Sequence, residues 1–374
     1  MIRSAGLQDL ESLVTIENQA FETDRFSRRS FRYLLTKANS LTLAYVSEGL
    51  VCGYVMLLFH TGTSLARLYS LAVHPGHQGR GIGRKLVEAA EVAAREHACI
   101  SLRLEVRRDN LTSIRLYRDL GYRQFGEVPD YYEDHMDALR FEHSLAPQLN
   151  PELVKVPYYQ QTLDFTCGPA ALLMAMHTLQ EKIPLERSQE LKLWRESTSI
   201  FMTSGHGGCG PYGLALAAYK RGFDIEVFIK DEGTMFVDSV RSEEKKEVMR
   251  LVQEDFIAEL SQLPVKITYA TITVDDLERH FLAGGIPVVL ISSYRIYKEK
   301  FPHWVVVTGF DASYIYVHDS FVDTDANKSV TDCVNMPILR WEFERMTRYG
   351  KAAQKATLII KQRKSRRGAG HRSG

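Results

Sequence analysis

The sequence predicts two domains in series, a mixed α/β domain followed by an α+β domain, and three observations lead there. At 374 residues the chain is longer than one hydrophobic core usually serves, since single cores stop growing near ~250–300 residues. Helical and strand periodicities alternate over residues 1–146. The stretch Ala146-Pro147-Gln148-Leu149-Asn150-Pro151 then breaks the pattern with prolines and no periodicity. The expected boundaries are a first domain over 1–146, a linker over 147–154, a second domain over 155–362 and a basic, disordered tail over 363–374.

In the first domain, Leu7, Leu10, Leu13, Val14 and Ile16 keep mostly helical spacing, so a helix is expected over Gly6–Phe21. A second follows from Ser27, a suitable N-cap, to Lys37. Leu41–Phe59 reads as two strands split near Ser47-Glu48-Gly49, and Leu65–Val73 as another. Gly83–His97 is helical, Ile100–Val106 alternates as a strand does, and Asn110–Leu120 is a helix stopped by Gly121. The second domain opens with a helix at Cys167 and carries a charged helix over Glu243–Leu263. It ends in strands over Pro287–Ser292, Trp304–Phe310, Tyr314–His318 and Ala356–Lys361.

With 45% hydrophobic and 25% charged residues, the composition excludes wholesale disorder and collagen-like repeats. No apolar run approaches the ~18 residues that span a bilayer, so no membrane partner is expected. The start, Met1-Ile2-Arg3-Ser4, has no signal-peptide core. Five scattered cysteines follow neither disulfide nor zinc-ligand spacing, which points to a reducing cytoplasm and to no metal. The net charge of +1 hides an asymmetry: six Lys or Arg lie from Lys361 onward with no acid, leaving 41 basic against 46 acidic residues in the body. Such a tail suits contact with RNA or a ribosome.

The most informative stretch of the first half is LYSLAVHPGHQGRGIGRKLVEAA. A strand containing Leu71, Ala72 and Val73 leads into Gln78-Gly79-Arg80-Gly81-Ile82-Gly83 and a helix. Glycines there let a ligand approach the backbone, and N–H groups at a helix start face an anion; a pyrophosphate is the natural guest. No Gly-Lys-Ser/Thr follows, which excludes a Walker loop, and no third glycine falls in the dinucleotide register. The Gln-x-x-Gly-x-Gly pattern resembles the coenzyme A loop of the GNAT acetyltransferases. Further on, LEVRRDNLTSIRLYRDLGYRQFGEVPDYY is similar to their ribosomal-protein alanine N-acetyltransferase branch. The resemblance implies a GNAT fold, a mixed sheet flanked by helices, over about residues 1–145, and acetyl-CoA as cofactor. The amides of Gln78 through Gly83 would hold its pyrophosphate, the strand at Leu71–Val73 its pantetheine arm, and Asn110 would sit beside it. By the same resemblance Glu105 would be general base and Tyr117 the acid that protonates the departing thiolate. These residue types suit a reaction in which an ammonium must lose a proton and a thiolate must leave. Phe26 stands where the branch often has Trp, so a different acceptor pocket is expected.

The second domain begins VPYYQQTLDFTCGPAALLMAMHTL, with Cys167 where a loop meets an apolar helix. A helix start favours a thiolate, and the amide of Gln161, six residues upstream, could serve an oxyanion. Downstream, FPHWVVVTGFDASYIYVHDS places His303 at the start of one strand and Asp319 at the end of the next. An antiparallel pair would bring them together. This constellation resembles the papain-like cysteine peptidases, in the group that includes double-glycine leader peptidases of bacteriocin exporters. The resemblance implies Cys167 as nucleophile, His303 as base, Asp319 as its orienting partner and Gln161 as oxyanion donor. The glycine-rich segment Gly205–Pro211 is expected to be a flexible loop near the cleft.

The expectation is therefore a bifunctional enzyme: an acetyltransferase acting on a peptide or protein amine, joined to a cysteine peptidase. The rivals are a second domain that only grips peptides, and an acetyl-CoA-sensing domain that regulates the peptidase.

Overall fold

Alternation along the strands of the first unit sorts its side chains between two helical layers. The structure, a computed structural model, describes residues 1–149, 151–198 and 207–363. It separates into Met1–Asn150 and Pro151–Gly374. The elements of the first unit are β1 (Ile2–Ser4), α1 (Leu10–Ala20), α2 (Arg28–Thr36), β2 (Ser40–Ser47), β3 (Leu50–Phe59), β4 (Leu65–Val73), α3 (Ile82–Glu96), β5 (Ser101–Arg107), α4 (Leu111–Asp119), β6 (Arg123–Val128) and β7 (Ala138–Ser144). The strands form one sheet in the order β1-β2-β3-β4-β5-β7-β6. On β3, Tyr54, Met56 and Leu58 pack with Leu13, Ile16 and Phe31 of α1 and α2. The intervening Val55 and Leu57 pack with Leu86, Val87 and Ala90 of α3.

One irregularity positions the site. β4 and β5 are parallel, but their pairing stops at Leu68 opposite Leu104, while β4 runs on to Val73 and β5 to Arg107. At the same level the β3–β4 register slips, leaving Tyr69 as an extra residue. The bulge turns β4 away and the strands part as a V.

The second unit contains β8 (Glu152–Leu153), α5 (Cys167–Leu179), α6 (Arg187–Ser197), α7 (Pro211–Lys220), β9 (Phe223–Ile229), α8 (Glu243–Ser261), β10 (Lys266–Tyr269), α9 (Val274–Leu282), β11 (Ile286–Ser292), α10 (Tyr294–Tyr297), β12 (Pro302–Phe310), β13 (Tyr314–His318), α11 (Val330–Cys333), β14 (Met336–Leu339), α12 (Arg340–Met346) and β15 (Ala356–Gln362). Its sheet runs β10-β9-β15-β11-β12-β13-β14, with β8 added to β12. Every residue of α5 from Cys167 to Met176 is buried, so its continuous apolar sequence suits a helix covered on all sides. It packs on β12 and β11 and against α6 and α7.

Three expectations need correction. The first helix opens with a 3-10 turn, Leu7–Asp9, because the Asp9 carboxylate takes the Gly6 N–H at 2.9 Å and is itself held by Arg3 at 2.7 Å. The linker placed at 147–154 is too long: Glu152 and Leu153 are strand, paired with Phe310 and Gly309. Arg363, expected to open the disordered tail, is tied to the second unit. Arg363 pairs with Asp224 at 3.1 Å and lies 4.1 Å from the Tyr219 ring centroid. Residues 364–374 lie outside the described residues. No helix among the described residues is long and apolar enough to cross a membrane.

Candidate functional site

In the first unit the V between β4 and β5 opens into a cavity of about 490 Å³ lined by Ser70 and Leu71 of β4, Glu105 and Arg107 of β5, and Asn110 and Tyr117 at α4. Gly79 and Gly81, before α3, have φ of +74° and +73°, a backbone that L side chains rarely adopt. A Cβ at either position would meet nothing within 4 Å. The demand is therefore conformational: the loop turns so that Ile82 starts the 15-residue helix α3, whose first N–H groups have no intrahelical acceptors. That start is chemically suited to a pyrophosphate.

Asn110 caps α4, its Oδ1 accepting the Ser113 N–H at 3.0 Å, so its side chain serves the helix. Tyr117 is 5% exposed, and its hydroxyl has no hydrogen-bond partner among the described residues. Burial pushes its phenol upward, so it holds its proton through neutral pH. Glu105 is engaged: Arg67 Nε donates to it at 2.8 Å, and the two side chains are only 3% and 4% exposed. Sequence reasoning missed Glu17 of α1. It lines the same cavity, is 1% exposed, and accepts the Phe26 N–H at 2.9 Å and the Tyr54 hydroxyl.

In the second unit Cys167 is the first residue of α5, and His303 is the second of β12. Register places Val306 opposite His318, so Asp319, just beyond β13, comes beside His303. His303 Nε2 and Asp319 Oδ1 are 2.6 Å apart, both fully buried. Cys167 lies near enough to help raise the His303 imidazole; with Nε2 committed to Asp319, Nδ1 is the nitrogen left for sulfur. Burial alone would lower His303, but Asp319 and then Cys167 outweigh it and push the imidazole from 6.5 up to about 10. Burial would raise Asp319, and His303, foremost among its partners, turns it below its ordinary value. Asp319 also accepts the Phe321 N–H at 2.9 Å and the Tyr297 hydroxyl. Lys328 lies 4.2 Å from the Tyr297 ring centroid and adds positive charge near Asp319.

Gln161 is buried; its Oε1 accepts the Ser320 hydroxyl at 2.8 Å and its Nε2 donates to Leu163 O at 2.9 Å. One amide proton remains for a ligand. The loop that carries it hangs on Glu190 of α6, which the sequence did not single out. Glu190 accepts Tyr159 Oη at 2.8 Å, Thr162 N at 2.9 Å, Thr162 Oγ1 at 2.7 Å and the Thr166 hydroxyl. His318, the other buried histidine of this sheet, contacts Val156 O at 2.9 Å and accepts the Asn335 N–H at 2.9 Å, a structural assignment.

Of the glycine-rich segment, residues 205 and 206 lie outside the described residues. The expected flexible loop is anchored in its described part: Trp194 Nε1 donates to Gly207 O at 2.8 Å and Trp304 Nε1 to Cys209 O at 3.1 Å. Among the described residues no group of His, Cys, Asp and Glu could hold a metal ion.

Residues 7–122 match the acetyltransferase (GNAT) family, and residues 156–361 match the Peptidase_C39 like family. An uncharacterized N-acetyltransferase of Methanocaldococcus jannaschii is 32% identical over 140 residues, covering 37% of this chain and 88% of that protein. N-alpha-acetyltransferase RimI of Mycobacterium tuberculosis is 30% identical over 127 residues, covering 33% of this chain and 78% of that protein. An uncharacterized protein of Mycobacterium leprae is 34% identical over 129 residues, covering 33% of this chain; the chain spans only 34% of that relative's length.

Proposed function

We propose, on the premise that this chain belongs to the acetyltransferase (GNAT) family in its first unit and to the Peptidase_C39 like family in its second, that it acetylates a peptide or protein N-terminus and cleaves amide bonds through Cys167. The first unit has the GNAT fold and is an N-acetyltransferase with acetyl-CoA as cofactor. When bound, that cofactor supplies an activated acetyl group on a thiol leaving group. The turn at Gly79 and Gly81 and the start of α3 fit its pyrophosphate, the unpaired edge of β4 at Leu71–Val73 fits its amide-bearing arm, and the cavity receives the acceptor. Glu22, Asp24, Asp109 and Asp134 join Glu17 and Glu105 around that cavity, and Arg107 is already paired with Asp109 and Asp134. That negative wall favours a cationic acceptor, as an α-ammonium is. Tyr117, protonated and lining the cavity, gives its proton to the leaving sulfur.

In the second unit, the buried His303–Asp319 pair, with Cys167 at the start of α5 among the groups that raise the imidazole, carries the peptidase reading. Cys167 sulfur attacks the amide carbonyl and His303 gives its proton to the departing amine, leaving a thioester. His303 then takes a proton from water, whose oxygen attacks the thioester carbon and releases the acid. Gln161 offers its remaining amide proton to the oxyanion. Asp319 fixes the imidazole tautomer.

The test is a peptide library incubated with the full chain, with and without acetyl-CoA, followed by mass spectrometry. Acetylated N-termini and cleavage fragments are expected, with fragments lost in Cys167→Ala. Peptides retained by that unit but uncleaved in wild type would favour a gripping module. Acetyl-CoA binding without acetylation of any peptide would favour a sensor.

A further inference from the structure

We infer that the acceptor amine surrenders its proton through a relay of three side chains, Ser70 to Tyr54 to Glu17, with Glu17 as the terminal proton acceptor. The inference rests on the acetyltransferase reading above and supplies its proton acceptor.

Three observations carry it. Ser70 sits on β4 immediately after the bulge, on the cavity wall where β4 has left β5. Its Oγ is 2.9 Å from the Tyr54 hydroxyl, and the Tyr54 hydroxyl donates to Glu17 Oε2. The relay therefore starts at the cavity and ends at a carboxylate of α1 that the Phe26 N–H holds in place at 2.9 Å. Tyr54 itself is wholly buried, so it has no exposure through which solvent would short-circuit the path.

Glu105, the carboxylate expected to be the base, meets a competing demand. It is an internal counter-ion of Arg67, which also donates to the Tyr131 hydroxyl at 2.9 Å. Its charge is matched to a buried guanidinium, a structural role in the unit's interior. Glu17 has no such obligation. The groups around it are the Tyr54 phenol, the charge of Arg25 nearby and, across the cavity, Glu105, Asp109, Asp134 and Arg107. Burial, the largest influence on Glu17, raises its carboxyl above the ordinary glutamate value. A desolvated carboxylate is a stronger base than a solvated one.

The step balances. The ammonium N–H bond breaks as its proton goes to Ser70 Oγ; the Ser70 proton moves to the Tyr54 oxygen, and the Tyr54 proton to Glu17 Oε2. The products are a neutral amine with its lone pair and a protonated Glu17; the hydroxyls of Ser70 and Tyr54 are regenerated. Ser70 is the group that touches the acceptor, and Tyr54 and Glu17 act through it.

The experiment uses the full chain, acetyl-CoA and the peptide amide Ala-Arg-Ala-Arg-Ala, whose α-amine is its only acetylatable nitrogen. Wild-type kcat/KM is expected to rise with pH through the Glu17 titration. Glu17→Gln, Tyr54→Phe and Ser70→Ala should each lower kcat by about 10²-fold with little change in peptide KM, and should lose that limb. The double variant Glu17→Gln, Tyr54→Phe should be no worse than either single, and Ser70→Thr should restore activity. In the cofactor-free protein, infrared spectroscopy should show a protonated-carboxyl band that titrates with the same midpoint and is missing in Glu17→Gln. A full-rate Ser70→Ala variant, or a pH limb unmoved in Tyr54→Phe, sinks the relay while the acetyltransferase reading stands. Wild type that binds acetyl-CoA but leaves this peptide unmodified defeats the proposed acceptor class and the relay with it.

Discussion

His303 and Asp319 are 16 residues apart in the chain and 2.6 Å apart in space, joined by the antiparallel pairing of β12 and β13. Because both are buried, neither charge is stable without the other, and the imidazole stays protonated beside Cys167. Cys167 should therefore be the most reactive cysteine of the chain near pH 6. Burial pushes Cys209 well up and Cys99 up to about 12, so those thiols stay protonated there. Site-resolved iodoacetamide labelling should find Cys167 modified at least ~10-fold faster than Cys209, and His303→Ala should remove most of that advantage. Equal rates for the two cysteines would show that no ion pair forms.

The same pair links stability to pH. The folded chain holds the His303 proton up to about 10, whereas an unfolded imidazole loses it near 6.5. The folded state thus binds more protons between those values, and stability falls as pH rises through that window. Its contribution is complete below about pH 6.5 and gone above about pH 10. Thermal unfolding of wild type and His303→Gln checks this: the gap in Tm should be widest on the acidic side of neutrality and shrink towards pH 10. A gap that widens with pH would reverse the sign and the argument.

Glu190 should matter to the cysteine without touching it. Its carboxylate gathers donors from Tyr159, Thr162 and Thr166, the stretch that carries Gln161 and ends at Cys167. Glu190→Ala removes the acceptor of the buried Thr166 hydroxyl, of the half-buried Tyr159 hydroxyl and of the exposed Thr162, and should cost about 1–3 kcal/mol. Chemical denaturation reads the loss. At temperatures where the variant is folded, Cys167 labelling and peptide cleavage should still be slower than in wild type.

Gly81→Ala tests the coenzyme A turn. The added methyl meets no atom, so any effect comes from holding an L-residue at φ +73°, about 1–2 kcal/mol. Calorimetry should show acetyl-CoA binding weakened by roughly 10-fold, with the melting of the second unit unchanged. Unaltered affinity would show that the left-handed turn plays no part in binding.

The residues legible in the sequence share one property: their partners are local or related by a simple strand pair. The hairpin of β12 and β13 could be read from two apolar runs around Asp311-Ala312-Ser313, and it delivered His303 to Asp319. Gly79 and Gly81 stood out because little but glycine fits there. Glu190 did not, being one acid in a polar helix whose donors lie 24 to 31 residues away. Nor did the Arg67–Glu105 pair. It depends on β4 and β5 being parallel with Arg67 opposite Arg103, which makes Glu105 a diagonal neighbour. Strand β6 escaped because Arg123-Gln124-Phe125-Gly126 carries a bulge that breaks alternation. A two-residue strand such as β8 leaves no periodicity to read.

β8 has an evolutionary corollary. Glu152 and Leu153 lie so close over Gly309 that a Cβ there would come within 2.5 Å of the Glu152 carbonyl oxygen. A side chain at 309 and a strand at 152–153 exclude each other. Among related sequences the two should covary: those that keep the short strand keep glycine at 309, while those in which an insertion or deletion displaces it are released to any strand-forming residue there. A collection of relatives would thus record, in the tolerance of a single position on β12, whether the chain before the cysteine is stitched to the sheet that carries the histidine.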